Sequence, residues 1–121
     1  GHYGHKSLAG GSVLGTPNEV EGNTAALIML DSSDFIKFGM FSEQYKNCYE
    51  DVQLNLTALI NDRSNYCCGS AVAFHHESAT RNKNQMKQIQ QNEDMQKLYE
   101  FVRKNSTFKK IKEMVYKKAI V

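Results

Sequence analysis

Thr24-Ala25-Ala26-Leu27-Ile28-Met29-Leu30 is an almost unbroken apolar run of strand length. A run of that kind reads as a strand buried on both faces, and such a strand requires a sheet with helices packed on each side. The flanking segments fit an α/β order. Ser32-Ser33-Asp34 supplies N-cap chemistry for a short helix through Phe38, which Gly39 stops. Met40 to Tyr49 reads as a loop. From Glu50, the apolar residues Val52, Leu56, Leu59 and Ile60 recur at the spacing of one helical face, and Asn61 to Asn65 breaks the helix. Tyr66 to Phe74 reads as a second strand that ends at His75 and His76.

Outside this stretch the character changes. Gly4 to Gly22 is rich in Gly and Ser, holds the only proline, Pro17, and reads as loop with a short strand at Ser12 to Leu14. Ala79 to Asn92 is polar and Gln/Asn-rich, a linker or an exposed helix. Met95, Leu98, Tyr99 and Val102 then share a helical face, and Phe108, Ile111, Met114 and Val115 mark a last, basic helix. The chain so divides into residues 1–22, a Gly-rich loop or the start of a piece cut from a longer chain; residues 23–81, the α/β part; and residues 82–121, a helical basic tail.

At 121 residues the chain is one small domain or part of a larger protein. No apolar run approaches the roughly 20 residues needed to cross a bilayer, and Gly1 to Gly15 has no apolar core of a signal peptide. Three cysteines, two of them adjacent (Cys67 and Cys68), make no disulfide framework. A cytoplasmic setting is expected. The triplets Asn55-Leu56-Thr57 and Asn105-Ser106-Thr107 match the glycosylation pattern, which arises readily by chance. The net charge of +2 hides an asymmetry: from Arg81 onward eleven Lys/Arg face four Asp/Glu, whereas Gly1 to Thr80 has four against nine. A basic tail suits an anionic surface, so peripheral contact with the inner membrane face is one expectation. Nucleic acid is not expected as a partner, because the basic residues lack an aromatic stacking platform and a DNA-reading motif.

The chemistry-bearing residues are few. Glu50 and Asp51 open the amphipathic helix, a place where acidic residues ordinarily compensate the helix dipole. His75 and His76 close the second strand, where alternation puts them on opposite faces, so at most one joins a given site. A zinc site from Cys67, Cys68, His75 and His76 fits poorly, because vicinal cysteines diverge and no Cys-X-X-Cys is present. Core packing is the better account of the cysteines.

Three segments carry a resemblance. Phe38-Gly39-Met40-Phe41-Ser42-Glu43 is similar to a Gly-Gly-Phe-Asp-Glu turn, and Tyr49-Glu50-Asp51-Val52-Gln53-Leu54 looks like a Glu-Asp-Val-Asp-Leu motif. Phe74-His75-His76-Glu77-Ser78-Ala79-Thr80-Arg81 looks like a His-His-Glu-Ser-Ala-Ser-Arg ending. In this order and spacing, over Gly22 to Arg81, the chain resembles the C-terminal, acceptor-side half of a family 2 glycosyltransferase with the GT-A fold. The resemblance implies a partial GT-A, Rossmann-like mixed sheet with flanking helices. It also implies inverting transfer of a sugar from a nucleotide-sugar donor to a glycan or lipid-linked acceptor, in bacterial cell-surface polysaccharide assembly.

Carried over by position, Asp51 is the general base that takes the acceptor's proton, and Glu50 orients that base or the acceptor. Gly22, Asn23, Thr24 and Ala25 lie under a sugar, where small residues leave room. His75, and less readily His76, contacts a divalent cation (manganese or magnesium) or the diphosphate. The sequence departs from the family pattern at Gln53 (Asp in the family), Met40 (Gly) and Gly69 (Pro). It holds no Asp-X-Asp motif, so half an active site is expected here and the chain alone is expected to be inactive. A severed half-sheet also favours a homodimer. The rival reading is a non-catalytic binding or assembly module that docks a partner or an anionic surface through its basic helices.

Overall fold

The computed structural model describes residues 17–71, 73 and 85–113, and within them the chain is a mixed α/β structure. Strand β1 (Asn18–Val20) pairs antiparallel with β2 (Asn65–Cys67), Asn18 opposite Cys67 and Val20 opposite Asn65. Between them come helices α1 (Ser32–Lys37) and α2 (Glu50–Ile60). Helix α3 (Gln85–Lys104) follows, and residues 109–113 are again helical.

The helices stand close to where the sequence puts them. α1 is capped by Asp31, one residue before the expected Ser32: its carboxylate accepts the backbone N–H of Ser33 at 2.8 Å and of Asp34 at 3.1 Å, and the Ser33 hydroxyl as well. These hydrogen bonds, that of the Ser33 hydroxyl foremost, hold the Asp31 carboxyl below the usual carboxylate range. α1 is tied to the turn after α2 by a forked pair, Arg63 Nε to Asp34 Oδ2 at 2.8 Å and Nη2 to Oδ1 at 3.1 Å. α2 covers the expected span, with Glu50 and Asp51 in its first turn.

Its buried face is rotated from the expected one. Leu54, Asn55, Leu56 and Leu59 are buried, whereas Val52 is exposed. The rotation follows from α2 serving two neighbours at once. Leu56 and Leu59 pack with Ile111, Leu98, Phe101 and Val102 of the C-terminal helices, and Asn55 turns toward residues 21–25 and 65. Two members of the expected C-terminal stripes, Tyr99 and Phe108, face solvent.

The strand expectations are corrected. Residues 24–30 form no strand; they run as turn and coil, with Leu27, Met29 and Leu30 exposed. The cause is local. Asn55 takes both the N–H and the C=O of Asn23, Asp51 takes the N–H of Ala25 and the Thr24 hydroxyl accepts from Ala26. The backbone groups at the start of the run are therefore spent on side chains and not on a sheet ladder. The second expected strand, Tyr66 to Phe74, is only the three residues of β2, and Gly69 and Ser70 turn the chain. Asn18–Val20, inside the stretch read as loop, pairs instead. Among the described residues the sheet has two strands, so the GT-A Rossmann-like sheet is not seen there. The expected strand at Ser12 to Leu14, the end of the second strand at Phe74, and His75 and His76 lie outside the described residues.

Candidate functional site

Asp51 stands at the second position of α2, and its two carboxylate oxygens are both engaged by backbone. Oδ2 accepts the N–H of Ala25 at 3.0 Å and Oδ1 accepts the N–H of Val52 at 2.8 Å. One turn on, Asn55 continues the attachment: its Oδ1 accepts the N–H of Asn23 at 3.1 Å, and its Nδ2 donates to the carbonyls of Asn23 and Asp51, each at 2.7 Å. Asn23 reaches the other way, donating from Nδ2 to the Tyr66 carbonyl at 3.0 Å. Asn65 Nδ2 donates to the Glu21 carbonyl at 3.0 Å and the Asn55 carbonyl at 3.2 Å. Gly22 lies so close to Asn55 that a Cβ there would stand 2.8 Å from the Asn55 Cβ and Cγ. Of the sequence-predicted residues, Ala25 is thereby brought onto Asp51, and Gly22 and Asn23 onto Asn55 one turn further along α2, with Thr24 between them. Glu50 sits beside them in the first turn of α2, half-buried.

The second element of the site is an open groove of about 540 Å³. The turn from Phe38 to Glu43 forms one wall, and Gln53, Leu54 and Thr57 of α2 form the other. The turn needs two successive left-handed residues, Gly39 at φ 86° and Met40 at φ 60°. Gly39 enters that region without cost and Met40 does not. Gln53 anchors the wall, with Oε1 accepting the Tyr45 hydroxyl at 2.6 Å and Gln44 Nε2 at 2.8 Å. Partial burial pushes the Tyr45 phenol up from its ordinary value. Two of the three motif segments therefore meet on α2: the Phe38–Glu43 turn borders the groove, and the Tyr49–Leu54 motif supplies both Asp51 and Gln53.

Sequence reasoning passed over Asp94. It is fully buried in α3, and its carboxylate accepts the backbone N–H groups of Lys46, Asn47 and Cys48 at 2.7 to 3.1 Å. Burial opposes its ionisation, but these donors and the nearby Lys97 outweigh it and hold the carboxyl below its ordinary value. The one signal in the sequence was an acidic residue on the apolar-facing side of a helix in the basic tail. Two of that tail's cations and one of its acids are tied into the body. Lys97 donates to the Gln44 carbonyl at 2.6 Å, Lys110 to the Arg63 carbonyl at 2.9 Å, and Glu93 pairs with Lys46 at 3.1 Å.

Among the described residues no three His, Cys, Asp or Glu side chains gather to hold a metal ion. The expected ligands His75 and His76 lie outside those residues. None of the three cysteines is in a disulfide; Cys67 is half-buried and Cys68, just past the end of β2, is exposed, so the expected core packing of these two cysteines is not seen. The Cys68 thiol is lowered by hydrogen bonding to Ser70. No described helix is long and apolar enough to cross a membrane. No family model, curated protein or solved structure matches the chain.

Proposed function

We propose that the chain is the acceptor-side portion of an inverting nucleotide-sugar glycosyltransferase of the family 2, GT-A type, working in bacterial cell-surface polysaccharide assembly. The observation that supports this reading is the seating of residues 22–25 along the first turns of α2, Ala25 on Asp51 and Asn23 on Asn55, with the Phe38–Glu43 groove on the same helix. Asp51 is a carboxylate oriented by two backbone donors, and each oxygen keeps a further lone pair for an acceptor hydroxyl. In the proposed reaction that oxygen receives the acceptor's proton, the acceptor oxygen bonds to the anomeric carbon from the face opposite the leaving group, and the nucleoside diphosphate departs with its bonding pair. Glu50 orients the acceptor or the base. His75, with His76 as the lesser candidate, meets the diphosphate or its divalent cation, manganese or magnesium. Such a cation, when bound, offsets the charge of the leaving diphosphate. The partners are then a nucleotide-sugar donor and a glycan or lipid-linked acceptor.

The test is Asp51→Asn in the full-length gene product, assayed with nucleotide-sugars and manganese. Transfer is expected to be abolished while the circular dichroism spectrum and the melting temperature of the protein stay close to wild type. Retained turnover removes Asp51 from the role of base and favours the rival reading, a non-catalytic module docking through its basic helices. For that rival, flotation with anionic vesicles is the matching measurement.

A further inference from the structure

The chain reaches α2 through Lys46, Asn47 and Cys48, and one side chain holds all three. Asp94 Oδ2 accepts their N–H groups at 3.1, 2.7 and 3.1 Å in turn, and Oδ1 accepts that of Lys46 at 3.0 Å. A fully buried carboxylate is tolerated only where its lone pairs are filled, and here the donors are consecutive peptide groups of one loop. The neighbours of Asp94 in α3 extend the grip. Lys97 Nζ lies 3.5 Å from Asp94 Oδ1 and donates to the Gln44 carbonyl, and Glu93 meets the Lys46 ammonium. The stretch Gln44–Cys48 is bound from outside along its whole length.

This stretch leads directly into the acidic pair. Tyr49, the residue before α2, has φ 79° and ψ 0° and makes no side-chain cap to the helix. A tyrosine adopts that left-handed conformation only where its surroundings impose it. The surroundings here are the clasped Lys46–Cys48 on one side and the first turn of α2 on the other. Glu50 and Asp51 come next, and Asp51 meets Ala25 from that position. The placement of the acidic pair is thus set by two attachments: Asn55 and Asp51 to residues 23–25, and Asp94 to the residues just ahead of the helix.

We propose that Asp94 is a positioning residue for the acidic pair: by clasping Lys46, Asn47 and Cys48 it fixes where α2 begins, and α3 is thereby a required part of the acceptor site. The kinetic half of this proposal rests on the transferase reading; the structural half is measurable without it. α3 then has a place in the site that its Gln-rich, polar composition alone did not suggest.

The experiment is Asp94→Asn, which keeps the shape of the side chain and removes its charge and one acceptor oxygen. Amide hydrogen exchange on this chain is read at Lys46, Asn47, Cys48 and Ala25, with Leu56 and Leu59 as core reporters. The expected result is exchange faster by about tenfold or more at the three clasped amides and at Ala25, with the core reporters unchanged. Unchanged protection at Ala25 overturns the proposal, because the clasp is then uncoupled from Asp51. If Asp94→Asn does not fold, Lys97→Met takes its place: faster exchange at Ala25 over an intact core upholds the coupling, and no change there overturns it. In the full-length transferase, Asp94→Asn is expected to lower kcat by about tenfold with the donor KM within about twofold of wild type. A rise in donor KM alone overturns the positioning role. Absence of turnover in the wild-type protein removes the transferase reading and leaves the exchange result to decide the clasp.

Discussion

The side-chain amide of Asn55 pairs with both the N–H and the C=O of Asn23, at 3.1 and 2.7 Å, which is the pairing a neighbouring strand would otherwise make. It is why the residues after Gly22 leave β1 and lie along α2, and why Ala25 arrives at Asp51. Leucine in place of Asn55 keeps the branched shape, though not the volume, and leaves the Asn23 peptide without these partners. Asn55→Leu is expected to destabilise by about 2 kcal/mol, the cost of leaving part-buried backbone groups without partners together with the larger side chain. A urea titration reads it; a midpoint equal to wild type would show that the pairing contributes nothing. Burial of Asn55 also keeps the triplet Asn55-Leu56-Thr57 from accepting a glycan on the folded chain.

Gly22→Ala tests the same contact from the other side. The new Cβ would meet the Asn55 Cβ and Cγ at 2.8 Å, and both atoms are close to the helix backbone and have little room to move. A loss of about 1–3 kcal/mol is expected, as for overpacking elsewhere. Thermal melting of the single variant decides it, and an unchanged melting temperature counts against the close seating of residues 22–25.

Met40→Gly should stabilise. A left-handed residue other than glycine costs about 1–2 kcal/mol, and the added freedom of glycine in the unfolded chain takes back about 0.4–1 kcal/mol. Met40 is half-exposed, so little packing is lost. The expected net gain is about 0.5 kcal/mol, small but resolvable as a shift in denaturation midpoint. A loss would mean that the Met40 side chain packs to more purpose than its exposure suggests.

Asp94 gives the chain an acid-sensitive attachment. Its native carboxyl lies below the ordinary value of 3.8, because the donors from Lys46, Asn47 and Cys48 and the charge of Lys97 overcome its burial. A carboxyl depressed in the folded state contributes stability that is fully present above its unfolded pKa and is lost as pH falls through the folded one. The difference in melting temperature between wild type and Asp94→Asn should therefore be constant from neutral pH down to about 4 and shrink below it. Asp31 and Asp34 are lowered too, the first mainly by the Ser33 hydroxyl and the second mainly by Arg63, and they remain in both proteins. A difference that grows on acidification would contradict the assignment.

Asp51→Ala removes the acceptor of the Ala25 N–H without disturbing the core. Since the Val52 N–H loses its acceptor too, the change should cost about 2 kcal/mol, the net worth of two hydrogen bonds, and speed exchange at Ala25 while Leu56 and Leu59 stay protected. Slow exchange at Ala25 in the variant would mean that another group holds that segment.

The helices were legible because their signals are local. Capping residues cluster at the start of α1, where Asp31 is the cap one residue before the expected stretch, Glu50 and Asp51 open α2, and Leu98 and Val102 repeat at helical spacing along α3; each signal depends on residues within a turn or two. Two of the segments singled out in the sequence, Phe38–Glu43 and Tyr49–Leu54, do meet at α2. The strands were not legible, because an apolar run states only that a segment suits burial and leaves open what it pairs with. Thr24 to Leu30 has the pattern of a buried strand, yet its first peptide groups are claimed by Asn55 and Asp51, residues distant in sequence. The clasp of Asp94 is invisible for the same reason: an acid on a helix reads as a solvated charge until the fold places three peptide N–H groups on it. Periodicity and capping chemistry by themselves determined where the chain is helical and which carboxylates open α2. Only the tertiary structure decided which backbone groups those side chains satisfy, because hydrogen bonds across tens of residues depend on how the elements pack and on no local pattern.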